Sequence, residues 1–231
     1  MNLGLSLSLS SGSSGAATPW QPASLFEGGK EGAFYDPLSE GLTLGDAVTA
    51  FTDLSGNGHD LAQASGPKMP TWQGSHYLFD GADDAMAGIV GYDITLGLTV
   101  IIGFRQLGGA NDDYFDIGSS SSNRYQFGDR AGYEMYAGSL LGIGDEDTSV
   151  HYATLFYNGA SSYGRLDGAE TTGNVGTSTI LAAHQRCIGA RVGGTAENAN
   201  FELYGYIERH GELTPAEITQ AEAWMAAQVG L

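Results

Sequence analysis

The stretch that decides the fold is "FELYGYIERHGELTPAEITQAEAWMAAQVGL", residues 201–231. Its first part, "FELYGYIERHG", alternates apolar with polar residues and predicts a β-strand. Its second part predicts a helix, because Thr214 can cap the N-terminus, Pro215 suits the first helical position and Glu217 completes a capping box. Gly230 supplies the stop. One face of this helix would carry the apolar side chains of Ile218, Ala221, Met225 and Val229, and this face is expected to dock on the last strand.

Strand-like segments recur at short spacing before this ending. They alternate apolar with polar residues and are bounded by Gly, Asn or Asp, as in "GAFYD", "HYLFDG", "LTVIIGFRQ", "DYFDIGS", "RYQFGDR", "YEMYAG", "VHYATLFYN", "YGRLDG" and "QRCIGARV". No two runs are joined by a helical crossover, so the strands should pair antiparallel. The 36 glycines among 231 residues suit many tight turns. These features predict an all-β protein, an antiparallel two-sheet sandwich with one C-terminal helix.

The charge of the chain excludes some partners. Nine Lys and Arg against 27 Asp and Glu give a net charge of -18, and the basic residues are scattered singly. Such a pattern cannot follow a phosphate backbone, so neither nucleic acid nor an anionic membrane is expected as a partner. A partner protein with a basic surface is the alternative that this charge leaves open. The one cysteine, Cys187, is expected to be a buried strand residue, which rules out a disulfide within the chain and a thiolate metal cluster.

The N-terminus differs from the rest in composition. Residues 2–10 alternate Leu with Gly or Ser, and "SSGSSGAATP" follows as a flexible linker. We therefore divide the chain into an attachment peptide and linker, residues 1–19, and a sandwich domain, residues 20–231. A strand with one apolar face could add to the edge of another protein's sheet, and a disordered tail is the alternative. The residues that would form this apolar face are Leu3, Leu5, Leu7 and Leu9.

The segment "DLSGNGHDLAQAS", residues 53–65, looks like the start of a calcium loop. Asp53, Ser55 and Asn57 alternate as in an EF-hand, and a glycine follows. The closing glutamate is missing, because Ala64 stands in its place, and the flanks do not predict helices. Asn57-Gly58 between two alternating runs is also a hairpin signal, since both residues of such a turn take positive φ. The segment is therefore interpreted as a structural corner.

Two clusters of carboxylates are candidates for chemistry. A retaining glycosidase needs two carboxylates about 5 to 5.5 Å apart, and consecutive residues of a strand point to opposite faces, so "GDEDTS" does not fit a catalytic pair. As cation sites the clusters are more plausible, because hard cations take several loop oxygens, and Ca²⁺ is the cofactor that the sequence offers. A solvated acidic loop is the alternative for each. The candidate ligands are Asp112, Asp113 and Asp116 in one cluster and Asp145, Glu146 and Asp147 in the other.

Aromatic side chains beside Asp, Asn and Ser predict a carbohydrate-binding surface. Tyr114, Tyr125 and Tyr136 lie in such a region and are the candidate sugar contacts. Alternation places Tyr133 and Tyr136 on opposite faces, so these tyrosines cannot all form one platform. Packing in the sandwich core is the alternative for most of them.

Taken in order, these segments resemble the concanavalin A-like, laminin G-like jelly roll. The match runs from "DLSGNGHDLAQAS" through "HYLFDGADDAM" and "LTVIIGFRQ" to a last strand followed by a Leu-Thr-Pro-Ala-Glu helix start. It covers roughly residues 32–230 and resembles modules of phage and prophage structural proteins. The resemblance implies a jelly-roll sandwich, and a fold of this kind hosts lectins, hydrolases and shell proteins alike.

The leading hypothesis is a non-enzymatic virion protein that decorates a phage-like particle or forms its fibre or spike. Its partners would be other virion proteins, bound through the N-terminal segment, and glycans on host or environmental surfaces. A homo-oligomer would suit a fibre, although no heptad predicts a coiled coil. A polysaccharide hydrolase on the same fold and a free calcium-dependent lectin are the alternatives.

Overall fold

The computed structural model describes residues 19–95, 97–109 and 111–231. In these residues the chain forms two eight-stranded sheets and one α-helix, which confirms the predicted two-sheet sandwich with a C-terminal helix. Every pair of neighbouring strands is antiparallel, as the absence of helical crossovers predicts. The anchor residues predicted in the N-terminal segment, Leu3, Leu5, Leu7 and Leu9, lie outside the described residues.

The strands of the described part follow one another along the whole sandwich domain. The first eight are β1 Gly32–Tyr35, β2 Ala50–Phe51, β3 Leu61–Ala62, β4 Thr71–Trp72, β5 Tyr77–Asp80, β6 Met86–Ile89, β7 Leu98–Gly108 and β8 Asp113–Ser120. The others are β9 Asn123–Asp129, β10 Tyr133–Tyr136, β11 Leu140–Gly144, β12 Val150–Tyr157, β13 Ser162–Leu166, β14 Ala169–Gly173, β15 Gln185–Ile188 and β16 Asn200–His210. Single turns of 3₁₀-helix are formed by Pro22–Phe26, Pro37–Ser39, Gly66–Lys68 and Gly159–Ser161. The α-helix α1 is Pro215–Val229.

The two sheets differ in strand order and pack face to face. The first sheet has the order β14-β13-β12-β7-β16-β5-β4, and β1 pairs with the far end of β16. The second sheet has the order β11-β10-β9-β8-β15-β6-β3-β2. One face of each sheet packs on the other sheet and forms the main core, in which Phe104 contacts the rings of Tyr114, Phe127 and Tyr133 at centroid distances of 5.1, 5.4 and 5.1 Å. The other face of the second sheet is called the outer face below.

The helix covers the outside of the first sheet, as its sequence pattern predicts. Thr214 and Glu217 form the capping box, and Gly230 ends the helix with a φ of 81°. Ala221 and Met225 pack against Ile101 and other apolar residues of a second, smaller core. Glycines of β7 and β16 let the helix approach closely. A Cβ on Gly103 would lie 2.7 Å from the sulfur of Met225, so the missing side chain leaves room for the methionine.

The segment that resembles a calcium loop is a structural corner. Both carboxylate oxygens of Asp53 accept hydrogen bonds from within the chain, and the Asn57 side chain donates to the carbonyls of Lys30 and Gly32. The segment joins β2 and β3, which pair Phe51 with Leu61. The hairpin is therefore confirmed. The prediction of a tight turn at Asn57-Gly58 is wrong, because Asn57 does not take positive φ. A longer loop built around Asp53 connects the two strands.

A charged pair lies inside the sandwich. The guanidinium of Arg186 in β15 and the carboxylate of Glu208 in β16 have no exposed side-chain surface and are 2.5 Å apart. The hydroxyls of Tyr92 and Tyr206 donate to the same carboxylate. Burial alone would raise the pKa of Glu208, but Arg186 lowers it below the usual value. The pair therefore joins the two sheets at the cost of desolvating both charges.

Candidate functional site

An open pocket of about 330 Å³ lies at one edge of the sandwich, where the two sheets meet. We call it the rim pocket. Tyr125 from β9 and Tyr157 from β12 line its inner side, which we call the floor; Tyr125 is 6% exposed and Tyr157 is fully buried. Its walls are formed by Thr95, Asn158 and the loop residues Thr177, Ser178 and Thr179. The pocket therefore combines an aromatic base with a polar mouth.

The floor of the rim pocket is held rigidly. The two tyrosine rings contact each other at a centroid distance of 5.1 Å. The Tyr157 hydroxyl donates to the carbonyl of Gln126 at 2.6 Å, and the Tyr125 hydroxyl donates to the carbonyl of Ser178 at 3.1 Å. Because these hydroxyls are already paired, the rings cannot turn without breaking buried hydrogen bonds. The pocket is preformed.

The loop that forms one wall is tied to β9. The Asn123 side chain donates to the carbonyl of Thr179 and accepts from its backbone N–H, both at 2.8 Å. The backbone N–H of Arg124 donates to the hydroxyl of Ser178 at 3.1 Å. These contacts fix the position of the Thr177–Thr179 hydroxyls relative to the tyrosine floor. A ligand would therefore meet an ordered set of polar groups, which lowers the entropic cost of binding.

Several polar groups of the rim pocket are free to bind a ligand. Within the described part of the chain, the hydroxyls of Thr95, Thr177 and Thr179 and the amide of Asn158 make no hydrogen bond, and all four residues are exposed. The described lining includes no carboxylate, lysine, arginine or histidine. Neutral donors and acceptors above an apolar base match a polyhydroxylated ring, since each hydroxyl of such a ring both donates and accepts.

The structure separates the three tyrosines predicted to contact sugar. Tyr114 has no exposed surface and packs on Phe104 and Phe201, so it belongs to the core and not to a surface platform. Tyr125 lies at the floor of the rim pocket. Tyr136 is half-buried and lines a second, smaller cavity on the outer face. Residues Thr177–Thr179 have no sequence signal, because a short polar loop looks the same whether or not it borders a pocket.

The predicted cation ligands of the first cluster meet arginine instead. Asp113 and Asp116 both accept from Nη1 of Arg124, at 2.9 and 2.8 Å, and neither side chain is exposed. Burial raises the pKa of Asp113 to about 7, although Arg124 beside it acts in the other direction. Asp112 points elsewhere and accepts from the backbone N–H of Asn200 at 3.3 Å. The three carboxylates do not converge on one point.

Asp112 and Asp129 are two buried carboxyls whose charges interact. Burial raises the pKa of Asp112 to about 6 and raises that of Asp129. Asp129 accepts from the backbone N–H of Asp112 at 2.8 Å, from the Tyr114 hydroxyl at 3.3 Å and from the Gln106 amide. These contacts use the Asp129 oxygens to hold strand ends together. The carboxylate therefore has a structural role.

The second predicted cluster is an exposed loop. Asp145, Glu146 and Asp147 follow β11, and all three residues are exposed. Asp147 is 3.0 Å from Nε2 of His151, whose Nδ1 lies 2.6 Å from Asp167. Burial would lower the pKa of His151, but the hydrogen bonds to both carboxylates raise it overall. The Asp147 carboxylate is therefore already engaged by the His151 ring, which also contacts Asp167.

Another set of carboxylates was not predicted. Asp80 ends β5, Asp83 and Asp84 follow it, and one carboxylate oxygen of each of the three residues lies within 4.8 Å of the others. Burial raises the pKa of Asp84 to about 6. Asp80 and Asp84 already accept backbone N–H groups of their own turn. The segment "FDGADDAM" matches no metal-binding motif, so its sequence gives no signal for this proximity.

No known family model matches the chain, and neither does any curated protein. Solved structures with a similar fold exist. A sialidase of Trypanosoma rangeli in complex with sialic acid aligns with a TM-score of 0.59 at 12% identity, over 84% of this chain and 32% of that one. The binding domain of botulinum neurotoxin DC in complex with rat synaptotagmin II aligns with a TM-score of 0.57 at 11% identity, over 84% of this chain and 51% of that one. A GH54 α-L-arabinofuranosidase aligns with a TM-score of 0.58 at 13% identity, over 79% of this chain and 51% of that one.

These likenesses show the fold alone. The chain spans about a third of the sialidase and about half of the other two proteins. Two of the three are named as a sialidase and an arabinofuranosidase, and the third is named as a binding domain. A similar sandwich therefore occurs as a part of longer proteins.

Proposed function

We propose that the chain is a non-enzymatic carbohydrate-binding module whose rim pocket holds a neutral sugar ring. One observation carries the proposal: a preformed pocket with free hydroxyls and an amide at its mouth, a tyrosine floor, and no charged side chain in its described lining. Glycosidases of the retaining type need two carboxylates at one place. The described lining offers none, which favours binding over cleavage. The fold shared with parts of glycan-related proteins is consistent with this function.

A double variant of the rim pocket tests the proposal. Thr177→Val with Asn158→Ala removes two free polar groups and leaves the tyrosine floor intact. Each lost hydrogen bond is worth about 1 kcal/mol, so the affinity for a neutral oligosaccharide should fall by about tenfold or more. Wild type is first screened on a glycan array, and the strongest neutral ligand is then titrated by calorimetry against both proteins.

The matched control is Thr172→Val, which removes an exposed hydroxyl of β14 that is not part of the described lining of the rim pocket and should bind as wild type does. Incubation of the ligand with wild type should release no new reducing ends. The proposal fails if no neutral glycan is retained on the array, or if the double variant binds as tightly as wild type. Release of reducing ends would favour the hydrolase alternative.

We further propose that this module is carried on a phage-like particle, with residues 1–19 as its attachment peptide. The alternating leucines of residues 2–10 and the resemblance to phage structural modules support this proposal. Deletion of residues 1–12 should abolish incorporation into particles purified from the source culture, as measured by immunoblot. The melting temperature should be almost unchanged, because the sandwich of residues 20–231 keeps its core. Normal incorporation of the shortened chain would defeat the anchor.

A further inference from the structure

The outer face of the second sheet has a cavity of about 180 Å³, which we call the arginine notch. Strand register builds it. Gln126, Tyr136 and Leu140 are direct cross-strand partners on β9, β10 and β11, so their side chains form one row on the same face. Arg124 lies two residues from Gln126 and therefore points to the same side. Arg130 and Ser121 complete the lining.

The notch gathers basic residues that lie far apart in the sequence. Arg124, Arg130 and Arg191 all approach Asp113, which is fully buried beneath them, within 2.9, 3.5 and 3.9 Å. Glu197 accepts from Arg130 at 3.0 Å and also pairs with Arg191. The three arginines face three carboxylates, because Asp116 also lies 2.8 Å from Arg124, so their positive charges are matched within the protein. What an anionic ligand would recognise is the set of guanidinium N–H groups that these carboxylates leave unused.

Some N–H groups of these arginines make no hydrogen bond in the described part of the chain. Arg124 makes its described hydrogen bonds through the backbone N–H and Nη1, and its Nε is buried with no partner in the described part of the chain. Only 5% of the Arg124 side chain is exposed, so this donor cannot be satisfied by bulk water. Arg130 engages only Nη2. Planar guanidinium groups with spare N–H donors match the geometry of a carboxylate.

One wall of the notch is apolar and flat. The guanidinium of Arg124 lies 5.5 Å from the centre of the Tyr136 ring, which holds the ring in place. Leu140 beside it is 52% exposed. A ligand that fits must therefore combine an anionic group with an apolar face of its own, as the ring of a sugar acid does.

We propose that the arginine notch binds a carboxylate-bearing sugar residue, such as the uronic acid of an acidic polysaccharide. The carboxylate would face Arg124 and Arg130, and the sugar ring would lie against Tyr136. The notch and the rim pocket lie on opposite faces of β9, and the notch proposal does not depend on the rim pocket.

Calorimetric titration with oligogalacturonate tests the proposal. The methyl-esterified oligomer, which carries no charge, is the control ligand. Wild type should bind the free acid at least tenfold more tightly than the ester. Arg130→Met should lose at least tenfold in affinity for the acid, and Tyr136→Leu, which changes no charge, should lose several-fold. The matched control is Arg105→Met, which removes the same charge from a 40% exposed arginine on the other sheet and should bind as wild type does.

Each other outcome overturns the proposal. Equal binding of acid and ester would show that the carboxylate is not recognised. An equal loss in Arg105→Met would show attraction by net charge alone, and unchanged binding in Arg130→Met would place the ligand elsewhere. Equal binding of poly-glutamate would show an acidic-peptide site. Thr177→Val with Asn158→Ala should bind oligogalacturonate normally, so failure of the rim pocket and failure of the notch are distinguishable. Melting temperatures confirm that each variant is folded.

Discussion

Replacing Arg186 with methionine is expected to lower the free energy of unfolding by about 3 to 5 kcal/mol. The substitution leaves the Glu208 carboxylate in the core with no opposite charge, and only the hydroxyls of Tyr92 and Tyr206 still donate to it. The loss is measured by urea denaturation, followed by tryptophan fluorescence. Because Arg186 lowers the pKa of Glu208 in the folded state, the wild-type pair stabilises the protein above the unfolded pKa. That contribution is lost as the pH falls through the folded pKa.

Two further variants make the Arg186 result interpretable. Arg186→Met with Glu208→Gln removes both charges and keeps an acceptor for the tyrosine hydroxyls, so it should recover part of the stability lost in the single variant. Arg105→Met removes an arginine that is 40% exposed and should cost less than about 1 kcal/mol. A single Arg186 variant as stable as the Arg105 variant would contradict a buried, desolvated pair.

Asp53→Ala is expected to lower the free energy of unfolding by about 2 to 4 kcal/mol. One carboxylate oxygen accepts from the backbone N–H groups of Phe34 and Ser55, and the other from the Ser55 hydroxyl and the N–H of His59. Alanine leaves these donors without their acceptor at a position where Asp53 is only 9% exposed. The measurement is again urea denaturation, with the melting temperature as a second readout.

The control for Asp53 is Asp46→Ala. Asp46 is an exposed loop residue whose carboxylate accepts one backbone N–H, from Thr43, so its loss should cost less than about 1 kcal/mol. A chelator should leave the melting temperature of wild type unchanged, because the Asp53 oxygens already have donors within the chain. A large fall in melting temperature on chelation would contradict this expectation and would indicate that the loop binds calcium.

The site was predictable only in part. The polar surroundings of Tyr125 and Tyr136 predict sugar contacts, and the two residues line the rim pocket and the arginine notch, respectively. The same surroundings predict a sugar contact at Tyr114, and this prediction is wrong, because an irregularity in the β8 register between Asp113 and Phe115 turns its ring into the core. Composition around a residue does not show which way a strand turns it.

The sequence by itself determined the elements whose signals are local. The capping box at Thr214 and the glycine stop fix the ends of α1, and alternation predicts the central strands. The Asp167-Gly168 turn of the β13–β14 hairpin takes positive φ at both residues, as an Asp-Gly pair predicts. Edge strands such as β14, "AETTG", were missed because they are exposed and carry no apolar alternation.

Only the tertiary structure decided which side chains meet. Arg124, Arg130 and Arg191 look isolated in the sequence, and strand order and register bring them over one buried aspartate. The pair of Arg186 and Glu208 forms for the same reason, since the two strands belong to different sheets. Register depends on the burial of whole sheet faces, and a shift of one residue would turn every side chain of a strand to the other face. The register is therefore set by the packing of whole sheets, and no single segment of the sequence specifies it.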